Sequence, residues 1–244
     1  NIADNVWCMN LSKTSFDNIK SPCLIIESFA SNHYEFAADL ALQVQNSGKK
    51  VFFCFITEDI PFPDFYMRNP LRRKYRMLQI KKINNKLRDL KITIIESPKL
   101  GSDCINKCIA FSKKKFENID DIKNLYYESS TLGISVLSSM FSIHKTNTFD
   151  VSKKRKEVEK RLLSSALVYE KCKLLRDSKR FSTFIYMNGR SSTTAPIEYV
   201  LNGSKNLLAR EIFLIGDELK MVLKPHRLHA KGTLYKTVEF FCKD

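Results

Sequence analysis

Glycine is scarce in this chain, seven in 244 residues. Phosphate cradles made of glycine backbone are therefore in short supply. Neither G-x-G-x-x-G after the first apolar run nor G-x-x-x-x-G-K-[ST] occurs, which counts against the common dinucleotide-binding and P-loop classes. G-x-S-x-G and H-E-x-x-H are missing as well, so nucleophile-elbow hydrolases and helix-borne zinc proteases are set aside. Nowhere do about 18 uncharged apolar residues follow one another, the length a membrane-crossing helix requires. The opening NIADNVWCMN lacks the layout of a signal peptide. A soluble, cytoplasmic protein is the expectation. No aromatic-rich RNP-type strand and no zinc knuckle is present, which argues against nucleic acid as the partner.

Cysteine is present in an odd number, seven, in a chain too long to depend on disulfide staples. Cys23 in SPCLII and Cys54 in VFFCFI sit inside apolar runs, where a thiol behaves as a small hydrophobe. A reducing compartment follows. Cys104 and Cys108 stand four apart, on one face of a helix, but no second Cys/His pair with zinc-like spacing accompanies them. His226 and His229 are three apart in PHRLHAKG, beside Pro225 and without a carboxylate neighbour. No metal is expected from either pair.

What the chain has in excess is positive charge: 41 Lys and Arg against 26 Asp and Glu, a net +15. Such a field draws polyanions and anionic membrane surfaces, although a Lys-rich solubilising surface yields the same count. A hydrophobic content of 43% is ample for a core.

The order of elements is that of an α/β protein. PCLIIESF reads as a strand, and an apolar stripe of Phe36, Ala37, Leu40, Ala41 and Val44 predicts a helix from Tyr34 to Gln45 closed by Gly48. Val51 to Ile56 is a continuous apolar strand of the kind covered on both faces. LRRKYRMLQIKKINNKLRDL, residues 71 to 90, has a helical pattern with Leu71, Tyr75, Leu78, Ile83, Leu87 and Leu90 able to line one face. Its basic face is either simply solvated or an anionic-membrane contact, the plain solvated reading being favoured. KITIIES supplies a third strand. Residues 101 to 178 form a helical insertion, with Asp150 as an N-cap and Val158, Leu162, Leu163, Ala166, Tyr169 and Leu174 at helical spacings. FSTFIYM, TAPIEYVLNGS and KNLLAREIFL then give strand, helix and strand. The expectation is one Rossmann-like domain over residues 1 to 244, with a mainly parallel sheet of five or more strands.

In open parallel sheets, ligands bind outside the carboxyl ends of the strands. Asn188-Gly189-Arg190 falls at such an end: glycine allows a sharp turn, and Arg190 offers a planar fork suited to phosphate or carboxylate. The hydroxyls from Ser191 to Thr194 lead into a helix with Pro196 in its first turn. An ordinary Asn-Gly turn with an N-cap explains the same residues equally well. His33, in the loop after the first strand, is a candidate general base with Glu35 nearby, although a lone histidine is more often structural. Arg210 and Glu211 interrupt an apolar strand, so each must be paired, exposed or functional.

At these segments the sequence resembles the N-terminal half of bacterial surface-polysaccharide glycosyltransferases of the capsule and O-antigen type, with GT-B architecture. The resemblance runs through HYEFAADLALQVQNSGKKVFFCFITEDIP, CINKC, YYESSTLGISVLSSM, LLSSALVYEKCKLL and FIYMNGRSSTTAPIEYVLNGSKN in order. ARE stands where that family often has Glu-Arg, here with Arg210 first. It implies an acceptor-side domain for transfer from a nucleotide sugar to a glycan or lipid-linked acceptor at the inner face of the plasma membrane, without a further cofactor. His33 and Glu211 would be catalytic, and Asn188, Gly189, Arg190, Ser191 and Arg210 would hold substrate. A second Rossmann-like domain or subunit would complete the cleft, so this chain alone is expected not to turn over. The competing expectations are a non-catalytic partner subunit of a transferase and a basic nucleic-acid-binding protein.

Overall fold

A computed structural model describes residues 17–28, 32–60, 70–202, 206–215 and 218–224. Five strands are parallel: β1 (Cys23–Glu27), β2 (Val51–Phe55), β3 (Thr93–Ile95), β4 (Thr183–Met187) and β5 (Leu207–Ile215). A sixth, β6 (Glu218–Lys224), pairs antiparallel with β5, and the order across the sheet is β3-β2-β1-β4-β5-β6. The fold is α/β and Rossmann-like, as the alternation predicts.

Two helices cover one face of the sheet. In α1 (Asn32–Asn46), Ala37, Leu40, Ala41 and Val44 pack on Ile25, Phe53, Ile185 and Leu208. Gly48, at φ 81°, ends that helix and turns the chain into β2. Helix α2 (Pro70–Asp89) lies on the same face, and only part of the expected stripe meets the sheet. Leu87 is buried and Ile83 packs against it as expected, but Ile80 and Met77 take the places expected of Tyr75 and Leu78, which are 63% and 54% exposed. Apolar residues are dense enough in the first half of this helix to offer two stripes, and the one that meets the sheet there is rotated from the one expected.

The opposite face carries the helical insertion: α3 (Ser102–Ser112), α4 (Ile119–Lys123), α5 (Leu132–His144) and α6 (Val151–Asp177), followed after β4 by α7 (Ala195–Leu201). These bury Leu24, Ile26, Phe52, Cys54, Phe184 and Tyr186. Between α4 and α5 the insertion breaks, because Tyr127 and Ser130 exchange main-chain bonds and Glu128 adopts a left-handed φ of 52°. Asp150 caps α6, its Oδ1 accepting from the N–H groups of Ser152 at 3.0 Å and Lys153 at 3.3 Å. Val158, Leu162, Ala166 and Tyr169 are buried as expected, but Leu174 is exposed and Leu175 takes the inward position.

Candidate functional site at the carboxyl edge of the sheet

The sheet reverses its winding between β1 and β4. From β1 the chain moves outward to β2 and β3, then returns through the insertion to β4 on the other side of β1. A crevice opens outside the strand ends at such a reversal. Glu27, the last residue of β1, stands there fully buried. The register pairs Ile26 with Tyr186 and Met187 with Arg210, so Glu27, Met187 and Arg210 lie in one row across three strands, on the α1 face.

Arg210 spans that row. Its Nη2 donates to Glu27 Oε2, and its Nη1 donates to the main-chain carbonyl of His33 at 3.2 Å. Glu27 Oε1 also accepts from the Ser28 N–H at 2.8 Å. An arginine at 1% exposure facing a carboxylate at 0% is a desolvated pair whose geometry is fixed by its remaining hydrogen bonds. The expected substrate contact from Arg210 is thus replaced by a structural one: its fork is occupied by Glu27 and by the first turn of α1. Glu27 itself was not singled out from the sequence, where a Glu closing an apolar strand looks like any polar strand end.

His33 lies in the first turn of α1, on that same guanidinium. Burial first, and the Arg210 charge second, hold its imidazole down to about 4, so it is uncharged at neutral pH. Ser28 Oγ is buried and has no hydrogen-bond partner among the described residues.

On the other side of the reversal, the Asn188 N–H donates to the Arg210 carbonyl at 3.1 Å and extends the ladder by one residue. Then the chain turns sharply: Asn188 has φ 31° and Gly189 φ 64°. The Asn188 side chain accepts from the Arg190 N–H at 3.2 Å, which stabilises the turn. A Cβ on Gly189 would stand 2.1 Å from Glu198 Oε2 and 3.1 Å from the Tyr186 ring, the two groups that bond to each other at 2.9 Å beneath it. A side chain here would be strained by the positive φ and would have to displace the Glu198 carboxylate. Arg190 emerges exposed. The main chains of His33 and Asn188 are both tied to Arg210, the first through its side chain and the second through its carbonyl.

Ser191 is not presented to the crevice. It is 7% exposed, its N–H donates to Thr194 Oγ1 at 2.9 Å, and the two hydroxyls lie 3.0 Å apart. The Ser192 N–H donates to Ser139 Oγ of α5 at 2.8 Å. The hydroxyl string is a turn that seats α7 against α5. Glu211 stands in β5 opposite Val222, with its side chain outside the described residues, as are His226 and His229. Among the described residues no group of three or more His, Cys, Asp or Glu is placed to hold a metal. Cys108 instead meets the Tyr127 hydroxyl at 3.5 Å.

No family model matches this chain, and no curated protein matches it. Among solved structures it aligns with a CDPS (cyclodipeptide synthase) from Fluoribacter dumoffii, at 10% identity and a TM-score of 0.42, over 89% of this chain and 96% of that one. The resemblance to GT-B polysaccharide glycosyltransferases does not hold: no family model and no curated protein of that class matches this chain. The segments that carried it have local explanations: the hydroxyls after Arg190 seat a helix, and the arginine of ARE neutralises Glu27. At that identity and TM-score, no property of the synthase passes to this chain.

Proposed function

We propose that the crevice outside β1 and β4 binds a small molecule bearing a phosphate or carboxylate. The observation that carries this reading is the Asn188-Gly189 turn, two consecutive residues at positive φ, which presents the exposed Arg190 at the winding reversal. Left-handed backbone at a non-glycine residue costs free energy and clusters at ligand sites. Because Glu27 and Arg210 neutralise one another, Arg190 supplies the charge, while uncharged His33 and the hydroxyl of Ser28 supply hydrogen bonds. The amino end of the 15-residue α1 adds a favourable field for an anion.

The test is calorimetric titration with a panel of nucleoside mono- and diphosphates, pyrophosphate and small dicarboxylates. Arg190→Gln removes one charge-assisted contact and should weaken the best binder by about 10- to 100-fold. A panel with no binder, or equal binding by the variant, would refute the proposal.

A second reading concerns where the protein works. No described helix is long and apolar enough to cross a membrane. Peripheral contact with an anionic membrane is favoured by Tyr75 and Leu78, both exposed on α2 and flanked by exposed Lys74, Lys81 and Lys82. Co-sedimentation with phosphatidylserine vesicles should drop for Tyr75→Ser/Leu78→Ser and for Lys74→Glu/Lys81→Glu. Unchanged sedimentation of both would leave the helix merely solvated.

A further inference from the structure

The carboxyl edge has a second concavity, beyond β2 and β3 and on the opposite face of the sheet from the Glu27–Arg210 pair. It is a groove of about 600 Å³, within the range of small-molecule sites. Its walls are two helical rails. Ile105 and Ile109 of α3 form one, Leu163 and Leu167 of α6 the other, and Lys171 stands one turn further along α6. Each set is spaced by four, so each runs along a single helix face. From Leu163 to Lys171 the rail extends about 12 Å.

The chemistry of the groove is lopsided. Ile105 and Ile109 are 38% and 42% exposed, an apolar surface at its mouth. At one end Lys171 is 2% exposed, its ammonium donating to Ser97 Oγ at 2.7 Å and to Asp59 Oδ1. Ser97 Oγ in turn donates to the Ile56 carbonyl at 3.0 Å. The ammonium has three N–H donors, and these bonds use two. Lys171 and Ser97 are held by the core, but the Asp59 side chain is 56% exposed and can turn out to water without opening the fold. Lys99, also on the lining, adds a second cation.

We propose that this groove binds a single-chain amphiphile with a carboxylate head, of the fatty-acid class. The acyl chain lies between the two rails, and its carboxylate takes the place of Asp59 on Lys171. Charge complementarity selects the occupant, since an apolar channel with buried positive charge at one end matches a chain with one anionic terminus. The site shares no residue with the one proposed for Arg190, so either can fail without the other.

Titration of the full chain with decanoate below its critical micelle concentration should give saturable 1:1 binding, with decanol, the uncharged chain of equal length, at least tenfold weaker. Ile109→Asp, a change at an exposed position, should weaken decanoate at least tenfold, while Ile134→Asp, at a 43% exposed position of α5, should leave it unchanged. Asp59→Asn removes the competing carboxylate at an exposed position and should tighten decanoate about fivefold, the worth of a partly exposed ion pair. No saturable binding, equal binding of decanol, indifference to Ile109→Asp or Asp59→Asn, or loss with Ile134→Asp would each overturn the proposal.

Discussion

Removing either member of the Glu27–Arg210 pair alone should damage the protein far more than removing both. In Arg210→Met, Glu27 keeps the Ser28 N–H at 2.8 Å but loses its cation while remaining at 0% exposure. In Glu27→Leu, a guanidinium at 1% exposure keeps only the His33 carbonyl at 3.2 Å among the partners described for its side chain. An unbalanced buried charge costs about 3–5 kcal/mol, a fifth or more of the roughly 5–15 kcal/mol that holds a domain together. The double variant Glu27→Leu/Arg210→Met has no charge left to desolvate, and such apolar replacements are often near neutral. The coupling across the cycle should therefore be at least about 2 kcal/mol. Urea unfolding at pH 7, with m-values checked for constancy, measures all four corners. The pair also acts on its neighbour: Arg210 contributes to the depressed pKa of His33, so the ring should titrate higher in Arg210→Met by NMR, though burial, the larger cause, still holds it below an ordinary histidine. A coupling under about 0.5 kcal/mol, the error of independent sites, would mean that water or rearranged side chains solvate both charges and that the row across the three strands is not a unit.

Further outcomes follow from particular contacts. His33 is held down to about 4 against an ordinary 6.5, so the unfolded chain takes up the proton first. Stability is full above pH 6.5, declines by about 2 kcal/mol as pH falls towards 4 once the partly exposed ring is allowed for, and then levels; His33→Asn should flatten that slope in urea titrations. Glu128 runs down to about 2 through hydrogen bonds first from Lys107 and then from Lys173; its contribution is present above pH 4.5 and fades towards pH 2. Glu128→Gln should cost about 1 kcal/mol at pH 7 and nothing at pH 2, a difference that salt reduces. In the first turn of α5, a Cβ on Gly133 would fall 1.7 Å from the Ile122 carbonyl oxygen, whereas at Gly101 it meets nothing within 4 Å. Gly133→Ala should therefore cost about 3 kcal/mol and Gly101→Ala less than about 0.5, and equal thermal midpoints for the two would contradict the close packing of α4 on α5.

The sheet was readable because its strands are short apolar runs separated by helical spacings. The placement of Asn188-Gly189-Arg190 at a strand end followed from the same pattern. Two features were not readable for a physical reason. Helix α2 carries apolar residues at enough positions to build two stripes in its first half, and the pattern alone does not say which meets the sheet; beside the expected Leu87, burial chose Ile80 over Tyr75 and Leu78. The break after α4 rests on a left-handed Glu128 and a Tyr127–Ser130 turn, with no proline or glycine between Ile119 and Leu132 to announce it. Within the site, local sequence identified the turn but not its support. Glu27 and Arg210 are 183 residues apart, and only the parallel register of β1, β4 and β5 puts them in one row. Lys171 was hidden in the same way, one lysine among many in α6, distinguished only by falling on the buried face of that helix.

The distribution of charge also bears on what sort of anion the protein takes. A net +15 invites the thought of a polyanion, yet two well-defined arginines of the interior are already committed: Arg210 to Glu27 and Arg161 to Glu157. Among the described residues at the reversal of the sheet, that leaves the exposed Arg190 beside a neutralised pair. A ligand held there trades a single ion contact and should lose affinity only gently with added salt. A nucleic acid spread over the surface lysines would displace several counterions, and its affinity would fall with a logarithmic slope of about −0.9 for each phosphate neutralised. The salt slope of the tightest anion therefore separates a crevice ligand from a surface polyanion without knowing either, and the site proposed at Arg190 predicts the shallow slope.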